Sequence, residues 1–253
     1  MVQRDQFLER SVVVKSGDLS LDALYHRGRR APPCVIASPH PALGGSMTVP
    51  VINELAWTLT RAGFPTLRFD YRGVGASQGK SRQAPGGDRI GDISDELQDL
   101  RSAIDQLLHS TGANGVCLVG HSFGAVVAVG AAGDARVEKL VLIAPATGAA
   151  DLAALESIRK PLLVLCAEDD ARCDRTRLRL PPGAHLEVIA DADHSFRRGL
   201  PELGKAVAAW VASGSPRADL PPPGAASDTA EAEPFREVDL PESSDQPLEL
   251  DDG

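Results

Sequence analysis

Aromatic residues are few, with six Phe, two Tyr and two Trp in 253 positions. The body of the chain also has no excess of positive charge. Stacking platforms and a phosphate-binding surface are both missing, so a nucleic-acid partner is not expected. No apolar run is long enough to span a membrane, and Met1 to Arg10 contain no apolar signal core. No membrane association is expected, and the expected compartment is the cytoplasm. Cysteine is scarce. There are four, with no Cys-x-x-Cys and no His/Cys cluster, so neither a metal nor any other cofactor is expected. Cys34, Cys117 and Cys166 fall in apolar runs where free thiols act as small hydrophobes, and Cys173 reads as an incidental loop thiol.

The charge that is present is unevenly placed. The net charge is −9, and residues 214–253 hold eleven acidic residues against Arg217 and Arg236. The body is therefore near neutral. The tail also contains Pro221-Pro222-Pro223 and few large apolar residues, so it cannot bury enough surface to offset ordering entropy. Two parts follow: a domain over 1–213 and an acidic, proline-rich disordered tail over 214–253. The plainer role for the tail is solubility. The alternative is a docking segment for a basic protein partner through Pro234 to Leu240. Two arginine clusters, Arg27/Arg29/Arg30 and Arg172/Arg175/Arg177/Arg179, read as solvated loop charge.

The body alternates strand and helix patterns. Ser11–Val14 and Leu19–Tyr25 form a hairpin across Ser16-Gly17-Asp18. Strands are expected at Cys34–Ala37, Thr66–Phe69, Val116–Val119, Lys139–Ile143, Pro161–Ala167 and His185–Ala190. Helices are expected at Ile52–Arg61, Ile90–Leu108 and Leu200–Val211, each with apolar residues at helical spacing. This is an α/β chain with a mostly parallel sheet covered on both faces.

The most informative stretch is Val116 to Ala128, in which a buried strand runs into Gly120-His121-Ser122-Phe123-Gly124 and then into a helix of small residues. Gly-x-Ser-x-Gly between strand and helix is the pattern of a nucleophile elbow, where a sharp, strained turn presents a serine at the top of a sheet. Serine needs a base, and the base needs an acid to fix its tautomer. Enzymes of this type carry the acid and then the histidine further along the chain. The run ending in Glu168-Asp169-Asp170 puts a carboxylate at the carboxyl end of a strand, where α/β sheets collect their functional groups. The run ending in Asp191-Ala192-Asp193-His194 puts a histidine on the loop after the next strand. Of the six histidines, His121 is badly placed to serve the adjacent serine, and His109, His26 and His185 lie away from that edge. His40 is the competitor of His194, and it reads as a structural histidine that orders its own loop. Strand-end position does not separate Asp170 from Asp169.

Four segments together carry a family resemblance over roughly 8–213. They are Ser38-Pro39-His40-Pro41-Ala42-Leu43-Gly44-Gly45-Ser46-Met47, Phe69-Asp70-Tyr71-Arg72-Gly73-Val74-Gly75-Ala76-Ser77, the elbow, and the Asp-Asp and Asp-His segments. The chain resembles the α/β-hydrolase superfamily, and within it small bacterial serine hydrolases with a His-Pro…Gly-Gly-Ser-Met loop. The resemblance implies an α/β-hydrolase fold of about eight strands, and its spacing favours Asp170 over Asp169. The link from Ala144 to Lys160 has room for a loop and one short helix, Asp151–Ile158, so no lid domain is expected and the site should be open.

The expected catalytic set is Ser122 as nucleophile, His194 as base and Asp170 as its orienting acid. The oxyanion hole needs two backbone N–H donors. Phe123, after the nucleophile, is one. Pro41 has no N–H, so Ala42 is the expected second, with Leu43 as fallback. Asp70 and Arg72 read as a structural turn with an internal ion pair. The expected function is cleavage of small or accessible carboxylic esters through an acyl-enzyme. The alternatives are thioester or peptide hydrolysis, acyl transfer, or a catalytically silent scaffold. A nucleotide-binding loop at Gly73–Ser81 fails on register, because the phosphate-loop pattern needs glycine where Val74 stands.

Overall fold

In the computed structural model, which describes residues 8–84, 89–150 and 152–213, the sheet has eight strands. They are β1 (Glu9–Ser16), β2 (Leu19–His26), β3 (Cys34–Ala37), β4 (Thr66–Phe69), β5 (Val116–His121), β6 (Val137–Ile143), β7 (Leu162–Asp169) and β8 (His185–Asp193). Four helices join them: α1 (Pro50–Arg61), α2 (Ser94–Thr111), α3 (Phe123–Gly130) and α4 (Leu200–Ser213). The chain divides into units Met1–Leu220 and Pro221–Gly253. The expected tail, 214–253, lies outside the described residues.

The strand order is β1-β2-β4-β3-β5-β6-β7-β8. Strands β1, β2 and β4 pair antiparallel, and every pair from β4 through β3 to β8 is parallel. This is the α/β-hydrolase fold. Strand periodicity splits the core in two. On β3 and β6, Val35, Ala37, Leu140 and Leu142 face one core, which α2 and α3 cover. Cys34, Ile36, Val141 and Ile143 face the other, which α1 and α4 cover. Central strands buried on both faces read as unbroken apolar runs, which is why they were visible in the sequence.

Two elements differ from expectation. Helix α2 begins at Ser94, four residues after Ile90, because Ile90 is used elsewhere: its N–H donates to the Ala149 carbonyl at 2.9 Å. The short helix expected at 151–158 is a 3-10 turn over Ala153–Ser157. The β6–β7 link holds that turn and no lid. Among the described residues no helix is long and apolar enough to cross a membrane, and no group of three or more metal-ligating side chains occurs.

The Asp70–Arg72 pair requires correction. Asp70 accepts the Met47 N–H at 2.6 Å and does not meet Arg72. Arg72 instead binds two acids of α2, Asp95 at 2.6 Å and Asp99 at 2.7 Å. Asp99 is fully buried and also accepts the Ser16 hydroxyl at 2.7 Å. This cluster ties α2, the hairpin and the loop after β4 together.

Candidate active site

Strand β5 ends one residue before Ser122, and α3 begins one residue after it. The turn forces Ser122 to φ 56° and ψ −110°, a conformation that costs a non-glycine residue about 1–3 kcal/mol. The turn is held by the Ser122 N–H on the Ile143 carbonyl at 2.8 Å. The flanking glycines are required by space. A Cβ on Gly120 would lie 2.3 Å from the Gly124 carbonyl oxygen, and one on Gly124 would lie 2.3 Å from the Ala37 carbonyl oxygen.

Strands β7 and β8 bring the other two groups. Their pairing shifts register between Ala167 and Asp169, after which Asp169 is paired with Asp193. The next residue on each strand is Asp170 on one and His194 on the other. Asp169 points to solvent. Both Asp170 carboxylate oxygens stand 2.9 Å from His194 Nδ1, and His194 Nε2 stands 2.8 Å from Ser122 Oγ. A carboxylate only accepts, so Nδ1 carries the proton and Nε2 accepts from the serine hydroxyl. The Asp170 side chain is 1% exposed. Burial alone would raise its pKa. The His194 hydrogen bond and charge, together with the Arg172 and Cys173 N–H groups, outweigh burial and hold the carboxyl below its ordinary value.

His121, badly placed by the sequence to serve the adjacent serine, makes no hydrogen bond to the Ser122 hydroxyl, which meets His194. Its role was not legible in the sequence: Nε2–H donates to the backbone carbonyl of His194 at 3.0 Å. Burial, followed by the neighbouring His194, lowers its pKa to about 4, so it is neutral at pH 7.

The loop at His40–Gly45 folds on itself. Pro41 opens a 3-10 turn, and the Leu43 and Gly45 N–H groups both donate to the His40 carbonyl at 3.0 Å. The Ala42 N–H donates to His40 Nδ1 at 3.2 Å. His40 therefore orders its loop, as expected. However, the donors expected at Ala42 and Leu43 are directed inward, because the proline-led turn satisfies them locally. Phe123, the other expected donor, begins α3, so its N–H has no partner within the helix. Above Ser122 lies a cavity of about 200 Å³ lined by His40, Leu43, Phe123 and Arg172, among others. That is below the roughly 300–1,000 Å³ of sites that enclose drug-sized ligands. The arrangement can activate a serine hydroxyl beside a small, open site with both polar and apolar walls.

The family model described as serine aminopeptidase, S33, matches residues 43–156. That span contains Ser122 and stops before Asp170 and His194. An uncharacterized protein of Rickettsia prowazekii is 33% identical over 100 residues, which are 39% of this chain and 38% of that protein. The chain thus spans well under half the length of that relative. Among solved structures, an α/β serine hydrolase homologue from Coxiella burnetii is 25% identical. The alignment covers 79% of this chain and 96% of that one, with a TM-score of 0.68. A lidless α/β serine hydrolase from Xanthomonas campestris is 24% identical over 83% of this chain and 97% of its own, with a TM-score of 0.67.

Proposed function

We propose, from the premise that the chain belongs to the α/β-hydrolase superfamily and is a hydrolase of the serine type, that it cleaves small or accessible carboxylic esters. The observation that carries this reading is the hydrogen-bond chain Ser122–His194–Asp170, with 2.8 Å and 2.9 Å links. In this mechanism Ser122 Oγ attacks the ester carbonyl carbon while its proton passes to His194 Nε2. Asp170 keeps the imidazole oriented and stabilises its cation. The tetrahedral oxyanion meets the Phe123 N–H. The Ala42 N–H, held only by a 3.2 Å bond to a neutral ring, turns from His40 to the developing charge, since charged acceptors bind roughly twice as strongly. His194 then protonates the leaving alkoxide, and the acyl group stays on Ser122. Water attacks the acyl carbon, gives its proton to His194, and releases the acid as Ser122 recovers its hydrogen.

The match to a family described as serine aminopeptidase favours peptide cleavage as a second reading. The cavity supports it less well. A free substrate amino group is an ammonium, and the described cavity lining offers Arg172 and no carboxylate to receive it. The buried free thiols of Cys34, Cys117, Cys166 and Cys173 support a reducing, cytoplasmic setting.

The test is turnover of short-chain 4-nitrophenyl esters beside aminoacyl 4-nitroanilides, by wild type and Ser122→Ala. Ester turnover that Ser122→Ala abolishes is expected. Anilide turnover without ester turnover would move the assignment to peptide bonds. Ester turnover retained in Ser122→Ala would refute the nucleophile.

A further inference from the structure

The described lining of the cavity over Ser122 carries a single permanent charge. Leu43, Ile90, Phe123 and Ala146 supply apolar walls, and Arg172 is the one cation, with no carboxylate beside it. Six described arginines are ion-paired: Arg68, Arg72, Arg82, Arg136, Arg179 and Arg197. Arg172 makes no ion pair among the described residues. Asp170, two positions away, is buried and turned to His194 and makes no ion pair with Arg172. The Arg172 backbone is nonetheless fixed. Its N–H donates to Asp170 Oδ1 at 2.8 Å, and its carbonyl accepts from the Gly148 N–H at 3.3 Å. The Arg172 backbone is thus tethered to the same carboxylate that orients His194. The guanidinium charge also acts inside the cavity: after burial, it is the second cause holding His40 below the ordinary histidine range.

A second cavity of about 490 Å³ is lined by Arg177 and Arg179 of the same loop, together with Thr147 and Thr176; Arg179 is paired with Glu156 at 3.3 Å, and Arg177 makes no ion pair among the described residues. A cleft lined by one sign of charge concentrates counter-ions of the other. A guanidinium presents a planar fork that matches a carboxylate, and its charge does not titrate away.

We propose that Arg172 is a specificity-determining residue that binds a carboxylate of the substrate, so the preferred substrates are small esters carrying a carboxylate within a few bonds of the scissile carbonyl. This rests on the ester-hydrolase reading above and narrows it to anionic substrates. The arginine cluster read in the sequence as solvated loop charge then supplies a substrate contact.

The test compares ester pairs of similar size. 4-Nitrophenyl hydrogen glutarate against 4-nitrophenyl valerate places the carboxylate in the acyl half. 4-Acetoxybenzoate against 4-acetoxybenzamide places it in the leaving half. kcat/KM is measured for wild type, Arg172→Leu, Arg172→Lys and Arg172→Glu. In wild type at least one anionic ester should exceed its neutral partner by about 10-fold, the order expected for one charged hydrogen-bonding contact. The preference, read as the anionic-to-neutral ratio within each variant, should disappear in Arg172→Leu, survive in part in Arg172→Lys and invert in Arg172→Glu. Arg172 is exposed, so these variants should fold. Neutral-ester turnover with the same anionic-to-neutral ratio in wild type and Arg172→Leu would overturn this inference alone. No turnover of any ester by folded wild type would overturn the ester-hydrolase reading and the inference with it.

Discussion

The His121 side chain donates from Nε2 to the His194 backbone carbonyl at 3.0 Å, so the residue preceding the reactive serine holds the loop that carries its base. The two rings lie 5.5 Å apart, and the Phe196 ring meets His121 edge-on at 6.1 Å. His121 is thus a positioning residue. It touches neither the serine hydroxyl nor the Asp170 carboxylate.

Replacing His121 by Leu should therefore lower kcat by about 10-fold, as expected for one lost hydrogen bond of about 1 kcal/mol or slightly more, and leave KM nearly unchanged. Steady-state kinetics on a short neutral ester check this. A change confined to KM would contradict it.

His121 should also make the fold acid-labile. Its folded pKa is lowered to about 4 from an ordinary value of 6.5. A histidine depressed in the folded state binds its proton more readily when unfolded. Its stabilising contribution is complete above about pH 6.5 and declines as pH falls towards 4, by up to about 1.4 kcal/mol per unit. Urea midpoints at pH 7 and pH 4.5 should converge in His121→Leu relative to wild type. An equal loss in both proteins would exclude His121 as a source of the acid sensitivity.

Asp170 and Asp169 should separate by kinetics. Asp170→Asn keeps the shape but presents an amide to His194 Nδ1, and should lower kcat on the order of 10³–10⁴-fold. Asp169→Asn, on an exposed side chain one residue earlier, should stay within 2- to 3-fold of wild type, roughly the effect of a distant surface change. Similar losses in both would contradict the geometry at the end of β7.

The elbow should not tolerate a methyl group at Gly124. Its Cβ would meet the Ala37 oxygen at 2.3 Å and the Ser38 oxygen at 2.7 Å, so β3 or α3 must move. Gly124→Ala should cost about 3 kcal/mol of stability by overpacking. Gly133→Ala, where nothing lies within 4 Å of the added carbon, should cost almost nothing. Chemical denaturation of the two variants checks the difference.

Asp99 should prove structural. Asp99→Ala leaves Arg72 without its fully buried partner and should destabilise by roughly 3–5 kcal/mol. At a temperature where the variant is folded, kcat/KM should equal that of wild type.

The sheet was legible in the sequence because its central strands are buried on both faces and read as apolar runs. Ser122 was legible because a serine at a strand-to-helix turn needs glycine on both sides. Asp170 and His194 could be placed at that sheet edge from chain order and from the apolar runs that end beside them. The choice of Asp170 over Asp169 depends on a register shift between β7 and β8, which no local pattern records. The partners of Arg72 lie on a helix more than twenty residues away, so a reading of adjacent residues pairs it with the wrong acid. The resting fold of the loop at His40 was not legible for a finer reason: the Ala42 N–H is held by a histidine ring nitrogen 3.2 Å away, a contact that no local pattern records.

The central claim is that His194 activates Ser122, and intact-mass labelling with a fluorophosphonate probe tests it most directly. Wild type should gain one adduct, Ser122→Ala none, and His194→Ala little or none over the same interval. An adduct that persists in Ser122→Ala, or a folded wild-type protein that takes up no probe, would contradict the claim.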